Sequence, residues 1–332
     1  MNLFEDFLNP ILHNTNYSVL PLAGDASSRR YYRVVSEDKA WVLMEWESFE
    51  NINDFPFLSV QKYFESHQIH VPQIFHFDKD AGLFLLEDLG DLTLERRFWE
   101  FQNQESILPF YEKTLDQLIK IHSLSFRNDP KESCTAYNIE FSIEKLMWEC
   151  NYTKKHLFKD FLNLNIDDEA LEKCFTDLCT DLYTSPQVIC HRDFHSRNVM
   201  LRYDKAVIID FQDARLGPPA YDLVSLFCDS YVELNQPSID HLMNYYINNF
   251  PHYNDLKLTP EQFNHYYNIQ SIQRCLKACG SFSSFKNMRD DNRYLHYIPG
   301  TLNKVASLLK NYPQYKPLSD VIESSREKWD KK

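Results

Sequence analysis

The sequence predicts an α+β protein of two lobes, in which an antiparallel sheet with one helix precedes a mostly helical region. Two observations support this fold class. Short β-branched and aromatic runs separated by turn residues fill residues 19–86, and helical periodicity dominates from Leu92 onward. We expect an N-lobe at residues 1–90, with a hinge at 87–90, and a C-lobe at residues 91–332. The chain of 332 residues is long enough for two lobes that share one site.

The composition indicates which kinds of binding partner and which cellular compartment to expect. The 35 basic and 48 acidic residues give a net charge of −13, which argues against nucleic acid or an anionic membrane as the main partner. No apolar run approaches the ~18 residues of a membrane span. The eight cysteines include no C-x-x-C pair, and this pattern favours reduced, buried thiols. We therefore expect a cytoplasmic protein without an obligate protein partner.

A loop of small residues separates the first two predicted strands, residues 19–22 and 31–35. Small side chains let backbone amides approach phosphate oxygens closely, and neighbouring arginines can add charge-assisted contacts. A plain β-turn is the alternative interpretation of these residues alone. The residues expected to contact a nucleotide here are Gly24, Asp25, Ala26, Ser27, Ser28, Arg29 and Arg30.

The third predicted strand, residues 40–46, contains no lysine. Protein kinases carry an ATP-binding lysine in the corresponding strand, and here Met44 is at the nearest position. This difference argues against a protein kinase and leaves the cation for the nucleotide phosphates unassigned. The candidates are Arg29, Arg30 and Arg33.

The N-lobe is completed by a helix and two further strands. Residues 54–68 predict an amphipathic helix behind the sheet, and residues 71–77 and 82–86 predict the strands. Acidic residues and a glycine then break the pattern, which marks a hinge whose backbone groups can contact an adenine ring. The hinge residues expected to contact the nucleotide are Glu87, Asp88 and Leu89.

The C-lobe shows helical periodicity in four segments, residues 105–124, 141–183, 239–249 and 260–280. An aromatic stripe of Trp148, Tyr152 and Phe158 is by default part of the core, although such a face also suits a stacked sugar. Arg274 and Lys277 lie three residues apart on one helix face. A solvated face is the default for this pair, and binding of an anionic substrate group is the alternative.

Three short apolar runs, residues 188–190, 199–202 and 206–209, surround the sequence His191-Arg192-Asp193-Phe194-His195-Ser196-Arg197-Asn198. They predict a strand, a loop and a hairpin, which places Asp193 and Asn198 on the loop and Asp210 at a strand end. An amide and a carboxylate oxygen suit Mg²⁺, and Asp193 is then free to accept a proton. This spacing is typical of kinase-type phosphoryl transfer. Turn formation alone is the alternative, but the three residues beside the expected strands favour the site.

Two neighbouring features have simpler interpretations. His191 and His195 are four residues apart, but they lie on a loop without a further ligand at zinc spacing, so no zinc site is expected. After Asp210, the Gly-Pro-Pro sequence at residues 217–219 predicts a rigid turn before a helix. Asp222 is predicted to be the N-cap of that helix, and support of the catalytic loop is a second possible role.

These motifs resemble the aminoglycoside phosphotransferase/choline kinase-like superfamily of small-molecule kinases. The shared pattern is H-x-D-x-x-x-x-N, D-x-x-D and Y-D-L, found here at His191, Asp193, Asn198, Asp210, Asp213 and Tyr221-Asp222-Leu223. A more specific similarity is to the bacterial anomeric amino-sugar kinases of cell-wall recycling, which phosphorylate N-acetylmuramate and N-acetylglucosamine at the C1 hydroxyl. The segments that carry this similarity include residues 22–33, 42–44, 86–91, 191–198, 210–214 and 273–277.

The resemblance implies a protein-kinase-like fold, ATP and Mg²⁺ as cofactors, and an amino sugar as the substrate. Structural roles are expected for His191 and Asp222. The residues expected to bind the substrate are Glu144, Tyr152, Arg197, Asp213, Arg274 and Lys277.

Two alternatives remain open at this point. One is a kinase of another small hydroxyl compound, such as an aminoglycoside, choline or an amino alcohol. The acidic balance of the chain suits a cationic substrate, whereas Arg197, Arg274 and Lys277 near the cleft disfavour it. The other is a nucleotide-binding pseudokinase, which the missing strand lysine suggests and the intact Asp193, Asn198 and Asp210 disfavour.

Overall fold

The computed structural model describes residues 3–13, 16–22, 29–37, 39–128 and 134–329. Within this part of the chain, no helix has the length and apolarity needed to cross a membrane. The predicted phosphate-binding residues 24–28 lie outside the described residues.

The N-terminal part is a five-stranded antiparallel sheet with the order β1-β2-β3-β5-β4. Its strands are β1 (Ser18–Pro21), β2 (Arg30–Ser36), β3 (Lys39–Glu45), β4 (Ile74–Asp78) and β5 (Leu83–Glu87). Two helices cover the sheet, α1 (Leu3–Leu12) and α2 (Pro56–Ser66). The predicted sheet with its helix is confirmed. Apolar, β-branched and aromatic residues are frequent in its strands, which favours this structure.

The prediction that the third strand contains no lysine is wrong, because β3 begins at Lys39. Lys39 is exposed and pairs with Ser36 at the β2–β3 turn. Met44 lies at the other end of the strand, where Tyr31 is its partner. Lys39 therefore does not occupy the position of a phosphate-binding lysine.

The rest of the chain is mostly helical. The next helices are α3 (Leu94–Glu100), α4 (Leu108–Ser123), α5 (Ile143–Thr153), which continues as a π-helix (Lys154–Phe161), and α6 (Asp168–Tyr183). They are followed by α7 (Pro219–Phe227), α8 (Gln236–Asn249), α9 (Pro260–Arg289), α10 (Ile298–Leu309) and α11 (Lys316–Trp329). The helix α9 is longer than predicted, and a capping box between Thr259 and Gln262 starts it.

Four short strands frame the predicted catalytic loop. The strand β6 (Val188–Cys190) pairs with β9 (Arg215–Gly217), and β7 (Val199–Arg202) forms a hairpin with β8 (Lys205–Ile208). The predicted succession of strand, loop and hairpin is therefore confirmed.

One hydrophobic core joins the sheet to the helical region. Met44 and Phe84 of the sheet belong to the same buried cluster as Phe194 and Phe211 beside the catalytic loop. The ring of Phe57 in α2 stacks on Phe211 with 5.2 Å between centroids. This packing fixes the sheet against the loop, so that a cleft forms between them. The α+β class with a sheet and a mostly helical part is confirmed, while the boundary at residues 87–90 stays a prediction.

Candidate active site

The side chain of Asp222 in α7 binds the backbone of the loop between β6 and β7. This carboxylate is fully buried and accepts hydrogen bonds from the backbone N–H groups of His191 at 2.7 Å and Arg192 at 2.9 Å. The buried His191 ring donates from Nε2 to the Ile209 carbonyl at 3.0 Å. Arg192 has a φ of +86°, a left-handed conformation that costs energy for a side chain of this size. The Asp222 contacts stabilise this loop conformation.

Asp222 is not an N-cap, so that prediction is wrong. The N-cap position of α7 is Pro218, whose side chain makes no capping hydrogen bond. Because Pro218 is the N-cap, Asp222 lies about one turn inside the helix, and its carboxylate faces the catalytic loop. The second predicted role, support of the loop, describes the contacts that the structure contains.

Asn198 and Asp210 meet at the mouth of the cleft. Asn198 Nδ2 lies 3.5 Å from Asp210 Oδ2 and donates to the Asp193 carbonyl at 2.9 Å. Asp210 Oδ1 accepts from Arg29 at 2.8 Å and from Gln212 Nε2 at 2.9 Å. An amide and a carboxylate this close supply the hard oxygen donors that Mg²⁺ prefers, so the residues fit a metal site.

The charge of Asp210 is stabilised by Arg29. Burial of the carboxyl group raises its pKa, but the positive charge of Arg29 and the hydrogen bonds from Gln212 and Arg29 together lower it by more, so the net pKa is lowered. Asp210 therefore stays ionised, as a metal ligand must be.

Asp193 is surrounded by three cations. Lys277 Nζ lies 3.1 Å from Asp193 Oδ1, Arg274 Nη2 lies 3.6 Å from the same oxygen, and Arg192 Nη1 lies 3.7 Å from Oδ2. Burial raises the pKa of Asp193, but Lys277 and the two arginines lower it well below its usual value. The group is an ionised carboxylate that can accept a hydrogen bond from a hydroxyl and orient it.

A cavity of about 180 Å³ opens beside Asp193, between the loop and the helices α7 and α9. Its polar end contains Asp193, Arg274 and Lys277, and its other walls include Tyr231, Phe282 and Phe285. An apolar wall facing a few convergent polar groups is typical of a small-molecule site. Two of the predicted substrate residues, Arg274 and Lys277, therefore lie where an acceptor would contact Asp193.

The remaining predicted substrate residues do not line this cavity among the described residues. Arg197 makes a two-point ion pair with Glu95, with both contacts at 2.9 Å, and its guanidinium lies 3.6 Å from the Tyr231 ring centroid. Asp213 binds Arg192 Nη1 at 2.6 Å. Glu144 is exposed in the first turn of α5.

The predicted aromatic face is also partly at the surface. The ring of Tyr152 packs between those of Trp148 and His156, at centroid distances of 5.2 and 4.3 Å, and Trp148 is 55% exposed. The third member of the stripe, Phe158, is fully buried in the core. Tyr152 thus has a packing role in the structure, and a role in substrate binding stays a prediction.

A second cavity, of about 610 Å³, lies between the sheet and the catalytic loop. The predicted hinge residues and both predicted metal ligands border it, together with the apolar side chains of β3 and β7; its lining includes Val42, Met44, Glu87, Asp88, Leu89, Met200, Asn198 and Asp210. Apolar walls with the hinge residues at one end and the predicted metal ligands at the other suit a nucleotide.

The three candidate phosphate cations differ in position. Arg29 lines this second cavity beside Asp210. Arg33 also lines it, but its guanidinium is bound by Asp88 at 2.8 Å and Asp91 at 2.9 Å. The side chain of Arg30 is 73% exposed and lies near Glu45 at 3.8 Å. Arg29 is therefore the candidate that the fold places next to a predicted metal ligand.

Sequence reasoning missed Glu149. This residue is 1% exposed, and its Oε2 accepts a hydrogen bond from Gln273 Nε2 at 2.9 Å. A signal for it was present, because Glu149 lies in the apolar stripe of α5 with Leu146, Cys150 and Thr153. A glutamate within such a stripe is unusual and indicates a buried, partnered charge.

Comparisons with known proteins agree with this arrangement. The model of the phosphotransferase enzyme family (APH) matches residues 18–254. The chain is 27% identical over 328 residues to an N-acetylmuramate/N-acetylglucosamine kinase of Neisseria meningitidis serogroup B, covering 95% of this chain and 92% of that protein. The predicted resemblance is confirmed by these matches.

Solved structures share the fold at low sequence identity. The choline kinase LicA from Streptococcus pneumoniae superposes with a TM-score of 0.62 and 16% identity, covering 92% of this chain and 98% of that chain. The ADP-bound aminoglycoside phosphotransferase APH(2'')-Ib gives a TM-score of 0.58 and 12% identity, covering 94% and 98% of the two chains.

Proposed function

Because the chain belongs to the phosphotransferase enzyme family, we propose that it is an ATP- and Mg²⁺-dependent kinase of the anomeric C1 hydroxyl of N-acetylmuramate, N-acetylglucosamine or both. One observation carries the proposal. Asp193 borders the smaller cavity, while Asn198 and Asp210, 3.5 Å apart, border the larger one. A donor and an acceptor bound in these two cavities would meet at the catalytic loop. We place the lobe boundary at residues 87–90, where the larger cavity begins.

The nucleotide cavity supplies the groups that ATP needs. Backbone groups of Glu87 to Leu89 would bind the adenine edge, and Arg29 would contact the phosphates. Asn198 and Asp210 would hold Mg²⁺, whose charge neutralises the phosphate oxygens. The residues Gly24 to Ser28 are proposed to cover the phosphates from the preceding loop.

Asp193 would receive the hydrogen bond of the attacking hydroxyl and take its proton as the new bond forms. Its lowered pKa makes it a weak base, which suits an anomeric hydroxyl because that group is more acidic than an ordinary alcohol. Lys277 and Arg274, at the same end of the cavity, would stabilise the negative charge of the transferred group. Catalysis then depends mainly on positioning and charge neutralisation.

The acceptor cavity favours a monosaccharide. Its volume of about 180 Å³ is below the ~300–1,000 Å³ typical of drug-sized ligands, which disfavours a multi-ring aminoglycoside. The cations around Asp193 also disfavour a positively charged acceptor and suit the carboxylate of N-acetylmuramate.

Choline is the second candidate, and one observation favours it. Tyr231, Phe282 and Phe285 in the cavity wall are the kind of aromatic side chains that bind quaternary ammonium groups. Arg274 and Lys277 in the same cavity would repel that cation, so we rank choline below the amino sugars.

The decisive experiment is an acceptor screen. Mg²⁺-dependent ATP consumption should appear with N-acetylmuramate or N-acetylglucosamine, and ³¹P NMR should show a sugar 1-phosphate. The methyl glycoside of N-acetylglucosamine, whose C1 oxygen is blocked, is the matched control and should give no product. Phosphorylation of choline or kanamycin instead would reject the sugar assignment, and no ATP consumption with any acceptor would favour a pseudokinase.

The role of Asp193 has its own test. Asp193→Asn should abolish turnover while the affinity for ATP, measured by calorimetry, is retained. Turnover near the wild-type rate would reject Asp193 as the catalytic residue. We propose a cytoplasmic role in peptidoglycan recycling, in keeping with the proposed substrates.

A further inference from the structure

Glu149 is a buried carboxylate with one unsatisfied oxygen. Its side chain extends from α5 toward α9, where Gln273 binds Oε2. Gln273 is itself held by its neighbour, because Gln270 Nε2 donates to Gln273 Oε1 at 3.0 Å. The other carboxylate oxygen, Oε1, has no hydrogen-bond partner among the described residues. A charge buried this way is costly unless nearby cations stabilise it.

Those cations are the ones that surround Asp193. Gln273, which binds Glu149, directly precedes Arg274 and lies four residues, about one helical turn, before Lys277 on α9, so the carboxylate lies beside this part of the helix. Its negative charge raises the pKa of Arg274 and Lys277, and also that of Arg192 of the catalytic loop. It also acts on Lys145 of its own helix and on Arg215 of β9. Without Glu149, only the carboxylates of Asp193 and Asp213 would remain to balance the three positive charges nearest Asp193.

Lys277 differs from the two arginines, because its pKa is lowered overall whereas theirs are raised. Burial lowers the pKa of its ammonium, Asp193 and Glu149 raise it, and Arg274 and Arg192 lower it again. His195 and Asp229 also border the cavity that Lys277 faces. The net pKa is lowered, so Lys277 is a lysine whose charge depends on its anionic neighbours.

We propose that Glu149 is a positioning residue whose negative charge keeps Lys277 protonated beside Asp193. The proposal rests on the proposed function, because it assigns Glu149 to the acceptor side of that site. Glu149 does not line the cavity among the described residues, so it acts through Lys277 and not by contact with the acceptor. A purely structural role, in which Glu149 only ties α5 to α9 through Gln273, is the competing explanation.

The test compares Glu149→Gln with Glu144→Gln, an exposed glutamate on the same helix. Gln at position 149 keeps the shape and an oxygen for Gln273 but removes the charge. In protein with ¹⁵N-labelled lysine, the Nζ signal of Lys277 is assigned by its loss in Lys277→Arg and followed against pH. We expect its pKa to fall by about one unit or more in Glu149→Gln and to stay unchanged in Glu144→Gln.

The proposal also predicts how the pH dependence of kcat should change. Loss of the Lys277 proton should end turnover at high pH, so the alkaline limb of the kcat profile should move to lower pH in Glu149→Gln. The loss relative to wild type should therefore be larger at pH 9 than at pH 7. A structural role would lower the rate equally at both pH values.

Two variants decide between these explanations. A lowered pKa of Lys277 in Glu149→Gln supports the proposal, and an unchanged one overturns it, whether or not the unfolding temperature falls. If Glu149→Gln does not fold, Glu149→Asp replaces it, because the shorter side chain withdraws the charge from Lys277 by one methylene. A smaller fall of the Lys277 pKa in that variant supports the proposal, and an unchanged pKa overturns it. The NMR measurement needs no acceptor, so it is independent of whether the wild-type protein phosphorylates a sugar.

Discussion

Arg29 and Asp210 form an ion pair of 2.8 Å across the nucleotide cavity. Arg29 precedes β2, whereas Asp210 follows β8, so the pair joins the sheet to the catalytic loop. The guanidinium also lies over the Trp46 ring, 5.1 Å from its centroid. Arg29 thus places a positive charge beside a predicted metal ligand. The lysine of the third strand, Lys39, cannot do so because it lies at the start of the strand.

We expect Arg29→Gln to weaken nucleotide binding. Charge-assisted hydrogen bonds contribute about 1.5–3 kcal/mol, so the Kd for Mg²⁺-ATP should rise by about 10- to 100-fold. Isothermal titration calorimetry would measure it. Arg30→Gln is the matched control, since that side chain is exposed, and it should leave the Kd unchanged. Equal effects of the two changes would remove Arg29 from the phosphate site.

Two glycines in helices should respond in opposite ways to substitution by alanine, because one lies where α5 packs on α9 and the other lies in open space. A Cβ at Gly280 would lie 2.7 Å from Thr153 Cα, whereas a Cβ at Gly300 in α10 would meet no atom of the described residues within 4 Å. Gly280→Ala should therefore destabilise the protein by about 1–3 kcal/mol through overpacking. Gly300→Ala should stabilise it by about 0.5–1 kcal/mol through helix propensity. Urea unfolding measures both, and a stable Gly280→Ala protein would show that the two helices can separate without cost.

Much of the fold and the centre of the site could be predicted from local sequence. The sheet follows from short runs rich in apolar, β-branched and aromatic residues. Asp193, Asn198 and Asp210 come together because the loop and hairpin that carry them are close in sequence. The error at Asp222 arose because a helix start was placed by residue type, whereas this helix begins at Pro219 after Pro218 as its N-cap.

Contacts between distant segments could not be read from the sequence. Arg197 was expected to bind substrate, but Glu95, 102 residues away, occupies its guanidinium. Glu149 was overlooked in favour of Glu144 because only the packing of α5 on α9 brings it to Gln273, 124 residues away. Such pairs depend on how the helices pack, which helical periodicity alone does not specify.

Asp222 should be required for both stability and turnover. Its two carboxylate oxygens accept backbone hydrogen bonds, and in Asp222→Asn the amide group would face one of these N–H donors. An unsatisfied buried donor costs about 1–3 kcal/mol, and we expect a loss of this size in urea unfolding. Asp240→Asn, on the exposed face of α8, is the control and should be neutral. Unchanged stability of Asp222→Asn would show that the loop holds its conformation without this residue.

Cys228 differs from the other cysteines. It is the one free cysteine of the eight that is half-buried, whereas the others are fully buried, and it lines the smaller cavity together with Cys275. A hydrogen bond from Cys275 lowers the pKa of the Cys228 thiol to about 6, against the opposing effect of burial. By contrast, burial raises the pKa of Cys174 to about 11. Cys228 should therefore be a thiolate at neutral pH.

We expect iodoacetamide to alkylate Cys228 at a rate that follows its thiolate fraction. The rate should rise through pH 6 and level off above about pH 7, whereas an unperturbed thiol with a pKa of ~8.5 would react faster up to pH 9. Mass spectrometry of the intact protein measures the rate, and Cys228→Ser should abolish the fast phase while buried Cys174 stays unmodified. Because Cys228 lines the acceptor cavity, N-acetylglucosamine should slow the reaction and a non-hydrolysable ATP analogue should not. A rate that still climbs between pH 7 and 9 would mean that Cys275 does not stabilise the thiolate, and protection by the nucleotide alone would place the acceptor elsewhere.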